Sequence, residues 1–155
     1  MKGKYTILGI GALFLLIASN VFIFLFHYRN THIACFAINS SIHGNQKLNS
    51  KISLLLDGEK GQLVFDGFFT DKVGTSKNMH LASEFFFTQY ANTYTFSDVS
   101  VSEFYDNKMK QEDIKEFLPM LMSLNGSDFI MNIYPIGKAA YLILNDKSLY
   151  MYCYR

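Results

Sequence analysis

The chain has 155 residues, with 14 Lys and Arg against 13 Asp and Glu and a formal net charge of +1. A near-neutral chain without clustered basic residues lacks the electrostatic footprint of a nucleic-acid surface, so no direct nucleic-acid binding is expected. Its length suits one domain rather than two, and 50% of it is hydrophobic, with 15 Phe, 10 Tyr and no Trp.

Residues 1–4 are a short basic start carrying Lys2 and Lys4. Tyr5 to Phe26 then runs without a charge. As a helix this stretch is about 33 Å long, close to the ~30 Å hydrocarbon core of a bilayer, and it predicts a transmembrane helix over 5–26. The α-amino group, Lys2 and Lys4 lie on one flank, with Arg29 on the other. Retention of positive charge in the cytoplasm favours an N-in, C-out signal anchor. In a Gram-negative cell this is a single-pass inner-membrane protein with a cytoplasmic N-terminus and a periplasmic C-terminal domain. Cleavage is disfavoured. The apolar run is longer than a signal-peptide core, and His32-Ile33-Ala34-Cys35 places His where a lipoprotein signal has Leu. Within the span, Ser19 and Asn20 are the strongly polar side chains. They are either tolerated within one helix or form a helix–helix contact through side-chain hydrogen bonds in lipid.

Residues 27–31 (HYRNT) are expected to form a short linker, and 32–155 a β-rich domain. Ile33 to Ile38 reads as a first strand, followed by a polar loop over Asn39 to Lys47. Ile52, Leu54 and Leu56 alternate with Ser53, Leu55 and Asp57, the period of a half-buried strand. The turn Asp57-Gly58-Glu59-Lys60-Gly61 then leads into a strand over Gln62 to Thr70, completing a hairpin. Met79 to Tyr90 fits either element; a strand is favoured because three consecutive Phe suit β structure better than a helix. Thr93 to Tyr105 predicts a long or bent strand. In 106–125, Ile114, Phe117, Leu118 and Leu121 have helical spacing, broken by Pro119. Asp128 to Ile136 returns to strand, and Ala139 to Leu144 pairs with Leu149 to Tyr154 in a terminal hairpin. The expected fold is mainly β with one short α-helix: an N-terminal transmembrane helix, then an antiparallel meander that closes into a small barrel or leaves it incomplete for another chain to complete.

Cys35 and Cys153 are the only thiols, in the first and last predicted strands. On the outer side of the membrane they can oxidise, and a bridge would staple the two ends of the domain. The alternatives are two buried thiols, or a redox site lacking any C-x-x-C spacing. His27, His32, His43 and His80 show no metal-ligand spacing, no Ser lies in a G-x-S-x-G context, and the acids are scattered. The sequence therefore offers no enzymatic motif, and neither metal nor cofactor is expected.

The basic start, the single apolar helix Lys2 to Phe26, Cys35 soon after it, the hairpin Leu54 to Phe69 around Gly58, Gly61 and Gly67, and the terminal hairpin Ala139 to Tyr154 together resemble the FidL-like membrane proteins of enteric bacteria. These are similar to the small partners in ToxR/ToxS-type and VtrA/VtrC-type pairs. The resemblance implies an incomplete lipocalin-like barrel that partners a ToxR/CadC-like, membrane-bound winged-helix regulator. It also implies a junction that in some pairs takes a bile-salt-like apolar ligand. For such a ligand the inward alternates Phe65, Phe69, Phe85, Phe87, Tyr94 and Phe96 are the candidate cavity residues; ordinary core packing is the competing explanation for each. Two other functions fit the sequence: a stand-alone, membrane-anchored lipocalin-like binding module, and a structural component of an envelope assembly.

Overall fold

The computed structural model describes residues 2–105, 128–145 and 148–155. The charge-free run builds one continuous helix, α1 (Lys2–Thr31). It is about 45 Å long, and its described side chains from Leu13 to Arg29 are exposed. One helix is thus long and apolar enough to cross a membrane. Residues 27–31 are the last turn of α1 rather than a separate linker. Nothing in His-Tyr-Arg-Asn-Thr breaks a helix, since it contains neither Gly nor Pro, and the barrel caps its end as described below.

Eight strands follow: β1 (His32–His43), β2 (Gln46–Asp57), β3 (Lys60–Thr70), β4 (Ser76–Tyr90), β5 (Thr93–Tyr105), β6 (Phe129–Ile136), β7 (Ala140–Asn145) and β8 (Ser148–Tyr154). Each pairs antiparallel with its neighbour in sequence, and β8 returns to β1. The barrel is therefore closed, and of the two forms left open by the sequence the incomplete one is set aside. The polar loop expected over 39–47 is instead the end of β1, a tight turn at Gly44 with φ +59°, and the start of β2. Ser40 and Asn49, opposite each other on the outside, hydrogen-bond across the pair at 2.8 Å. The short helix expected over 106–125 lies outside the described residues.

Period-2 patterning sets the inside of the barrel. Met79, Leu81, Ser83, Phe85 and Phe87 of β4 all point inward and are buried, while Phe86 between the last two is exposed. Leu63, Phe65 and Phe69 of β3, and Phe129, Met131 and Ile133 of β6, complete the same core. Gly61 leaves room for it: a Cβ there would stand 2.1 Å from the Phe85 ring.

The strands are unequal. β1 to β5 have 11–15 residues and β6 to β8 have 6–8. Among the described residues β5 pairs with β6 over Thr93–Phe96, and β1 meets β8 at Phe36↔Tyr154. Directly beside that closing pair lies the Cys35–Cys153 disulfide, with Cα atoms 5.5 Å apart and a sequence separation of 118. In the chain-entropy picture a cross-link over so long a loop stabilises by about 4–5 kcal/mol. The Cys153→Ser variant, or the reduced protein, is expected to lose about 2–5 kcal/mol of stability, read as a lower denaturation midpoint in detergent. An unchanged midpoint would contradict the stapled closure.

Candidate functional site

The best-defined junction in the chain is the end of α1. The last four carbonyls of a helix have no partner within it. Here three of them find one. The Tyr28 carbonyl meets His32 Nδ1 at 2.9 Å, the Asn30 carbonyl accepts from the Tyr94 hydroxyl at 2.7 Å, and the Thr31 carbonyl accepts from the Gly58 amide at 3.1 Å. His32 also stacks on Tyr28, with ring centroids 3.8 Å apart, and its Nε2 lies 3.1 Å from Asp57 Oδ1. The barrel thus caps the helix from three places: the start of β1, the β2–β3 turn and β5. Thr31 is itself buried.

The six sequence-derived cavity residues all face inward and are buried: Phe65, Phe69, Phe85, Phe87, Tyr94 and Phe96. Four of them pack ring on ring. Phe85 meets Phe96 edge-on at 4.8 Å, Phe87 contacts Tyr94 at 5.9 Å and Phe96 at 6.3 Å, and Phe96 stacks on Phe129 at 4.7 Å. These contacts make the cluster part of the core. Tyr94 has a further role that the sequence did not reveal. Its ring belongs to this cluster while its hydroxyl caps α1, across 64 residues of chain.

Sequence reasoning also missed two inward hydroxyls, Ser50 and Ser83, which are buried without a hydrogen-bond partner. Such groups call for a water or a ligand. Their only signal in the sequence is a small polar residue at an inward position of an otherwise apolar alternation. Two concavities open on the outer face. One of about 430 Å³ lies between Leu55, Lys60, Glu84 and Phe86. The other, of about 790 Å³, passes over Gly67 between Ile38, Phe68, Asp66 and His80. Both fall in the size range of small-molecule sites; of the ring cluster only Phe85 lines the first, and none of it lines the second. Among the described residues no group of three or more His, Cys, Asp and Glu could hold a metal ion.

In α1, Ser19 Oγ and Asn20 Nδ2 both donate to the Leu16 carbonyl, at 2.9 and 2.7 Å. Ser19 and one N–H of Asn20 are thus partnered within one helix, while the exposed Asn20 amide keeps a second N–H and its oxygen to offer.

No protein-family model matches the chain, and no curated protein matches it. The fold and the junction therefore define the class: an eight-stranded antiparallel barrel, closed by a disulfide and carried on one apolar helix.

Burial, with a smaller contribution from neighbouring Tyr141, pushes the Tyr94 hydroxyl up to about 12. A phenol whose folded value is raised contributes stability that is fully present below its ordinary value near 10 and is lost as pH rises toward 12. Two outcomes are expected. The Tyr94→Phe variant strands the Asn30 carbonyl and loses about 1–3 kcal/mol at neutral pH, measured by thermal unfolding. The native chain also weakens between about pH 10 and 12, and the variant lacks the Tyr94 share of that loss. Parallel pH profiles for the two proteins would contradict the assignment.

Proposed function

We propose that this protein is a membrane-anchored accessory subunit whose barrel, on the periplasmic side, partners and stabilises a ToxR/CadC-like transmembrane winged-helix regulator, in the manner of the FidL-like proteins it resembles. The observation that carries the reading is the barrel's unequal build, fixed to a membrane-length helix without a linker. Among the described residues, β5 beyond Phe96 and β1 beyond Phe36 pair on one side only. Such edges are where another chain adds main-chain hydrogen bonds. The rigid junction at Thr31 would hold those edges at a fixed height above the membrane, within reach of a second short-linked membrane protein. The outward acceptor of Asn20 offers a contact inside the bilayer.

An apolar, bile-salt-like ligand fits this account as a population shift: a molecule that binds the assembled pair better than the separate chains favours assembly by that difference. Because the inward rings pack against each other, the outer groove over Gly67, flanked by exposed Ile38 and Phe68, is a better starting place for such a ligand than the ring cluster. The closed barrel also favours a second reading, the stand-alone binding module, since a closed and stapled sheet can be stable without a partner. A stable, monodisperse isolated chain that binds an apolar dye stoichiometrically would support that alternative.

The decisive experiment is co-expression with the membrane-bound winged-helix regulator encoded nearest to it. The two are expected to co-purify and to protect each other from proteolysis. Separate migration with unchanged degradation would refute the pairing. In the same assay Asn20→Leu is expected to weaken association by about 0.6–2 kcal/mol; unchanged association would reduce α1 to a plain anchor.

A further inference from the structure

We propose that the helix-side rim of the barrel sits at the outer edge of the headgroup layer of the bilayer, and that an arc of tyrosine, isoleucine, lysine and arginine side chains on this rim reaches down to the phospholipid interface. The inference rests on α1 being a membrane span.

Chain geometry sets the height. The apolar run ends at Phe26 and β1 begins at His32. Only about 9 Å of helix therefore separates the hydrocarbon edge from the start of β1; with a polar layer about 5–7 Å thick, the rim stands at the outer edge of that layer, where long side chains reach into it. The Tyr94–Asn30 hydrogen bond brings the β4–β5 hairpin to the level of the last helical turn. Without a linker the barrel cannot drift away from the surface.

Composition matches that height. Tyr90, beside the β4–β5 turn, is 87% exposed; Ile136, leading into the β6–β7 turn, and Tyr154, at the end of β8, are 42% and 50% exposed. Lys138 and Arg155 stand exposed next to them, the Arg155 guanidinium tied to the Tyr141 hydroxyl and the Lys138 carbonyl at the rim itself. Tyr with Lys and Arg is the mixture selected at a membrane–water interface, where rings sit among the headgroups and long basic side chains reach the phosphates. At the opposite end of the barrel, the turns 43–46 and 70–76 carry neither Phe nor Tyr. The rim's acidic pair, Asp57 and Glu59, lies at the β2–β3 turn. The strand order β1 to β8 puts that turn across the barrel from the β6–β7 turn, so the arc from β4 to β8 is aromatic and basic.

The absence of Trp from the chain makes the test direct. Three single-Trp variants of the full chain, Phe22→Trp, Tyr90→Trp and Val73→Trp, alter exposed side chains of the span, the near rim and the far end. Each is reconstituted in phosphatidylcholine vesicles with or without bromine high on the acyl chains. The inference expects brominated lipid to quench most of the emission of Phe22→Trp, to quench Tyr90→Trp partly, and to leave Val73→Trp unchanged. If Phe22→Trp is quenched while Tyr90→Trp behaves like Val73→Trp, the rim inference alone is overturned. If Phe22→Trp is not quenched, the membrane span falls and the inference with it. Quenching of all three would overturn the end-on seating.

Discussion

A rolled sheet is a barrel only where its first and last strands meet, and here they meet over a very short length. Phe36 pairs with Tyr154, and Cys35 is bonded to Cys153 beside it. A single ladder position is a weak latch, because the chain must bring together segments 118 residues apart before gaining it. The covalent bond removes most of that cost from the unfolded side. The buried core depends on this latch. The rings of Phe85, Phe87, Tyr94 and Phe96 stay packed together only while the first and last strands are joined.

The latch and the membrane helix share one end of the molecule. β1 leaves α1 at His32 and reaches the disulfide within one more turn of the pleat. Asn30 and Thr31 are held by Tyr94 and Gly58. Anchoring, closure and the aromatic core are therefore linked through a few residues. A displacement of the helix would pull on the strand that closes the barrel, and the Tyr94 hydrogen bond would carry it into the ring cluster.

Much of the architecture was legible because its signals are local. The charge-free run from Tyr5 to Phe26 and the alternation from Met79 to Phe87 depend only on neighbouring residues and a fixed period. The disulfide was legible for another reason: with two cysteines there is one pairing. The segment Asn39 to Lys47 misled because its residues are polar on both faces, so no alternation remained to mark a strand whose pairing comes from β2. The end of α1 misled similarly, since its continuation through residues 27–31 draws on caps supplied by Tyr94 and Gly58, far along the chain. For the same reason Tyr94 looked like a cavity residue and not a cap. Closure was not legible, because it rests on a register between β1 and β8 that no local pattern encodes. The orphan hydroxyls of Ser50 and Ser83 appear only once burial is known.

The proposal most open to test is that the helix carries the disulfide-closed barrel across a membrane into an oxidising compartment. Thiol trapping in intact cells tests it most directly. Cells are quenched with a membrane-permeant alkylating reagent, and the denatured full-length chain is then analysed by mass before and after reduction. The account predicts that Cys35 and Cys153 are unmodified at first, linked in one peptide pair, and available to alkylation only after reduction. Recovery of both cysteines already alkylated in the unreduced sample would contradict it.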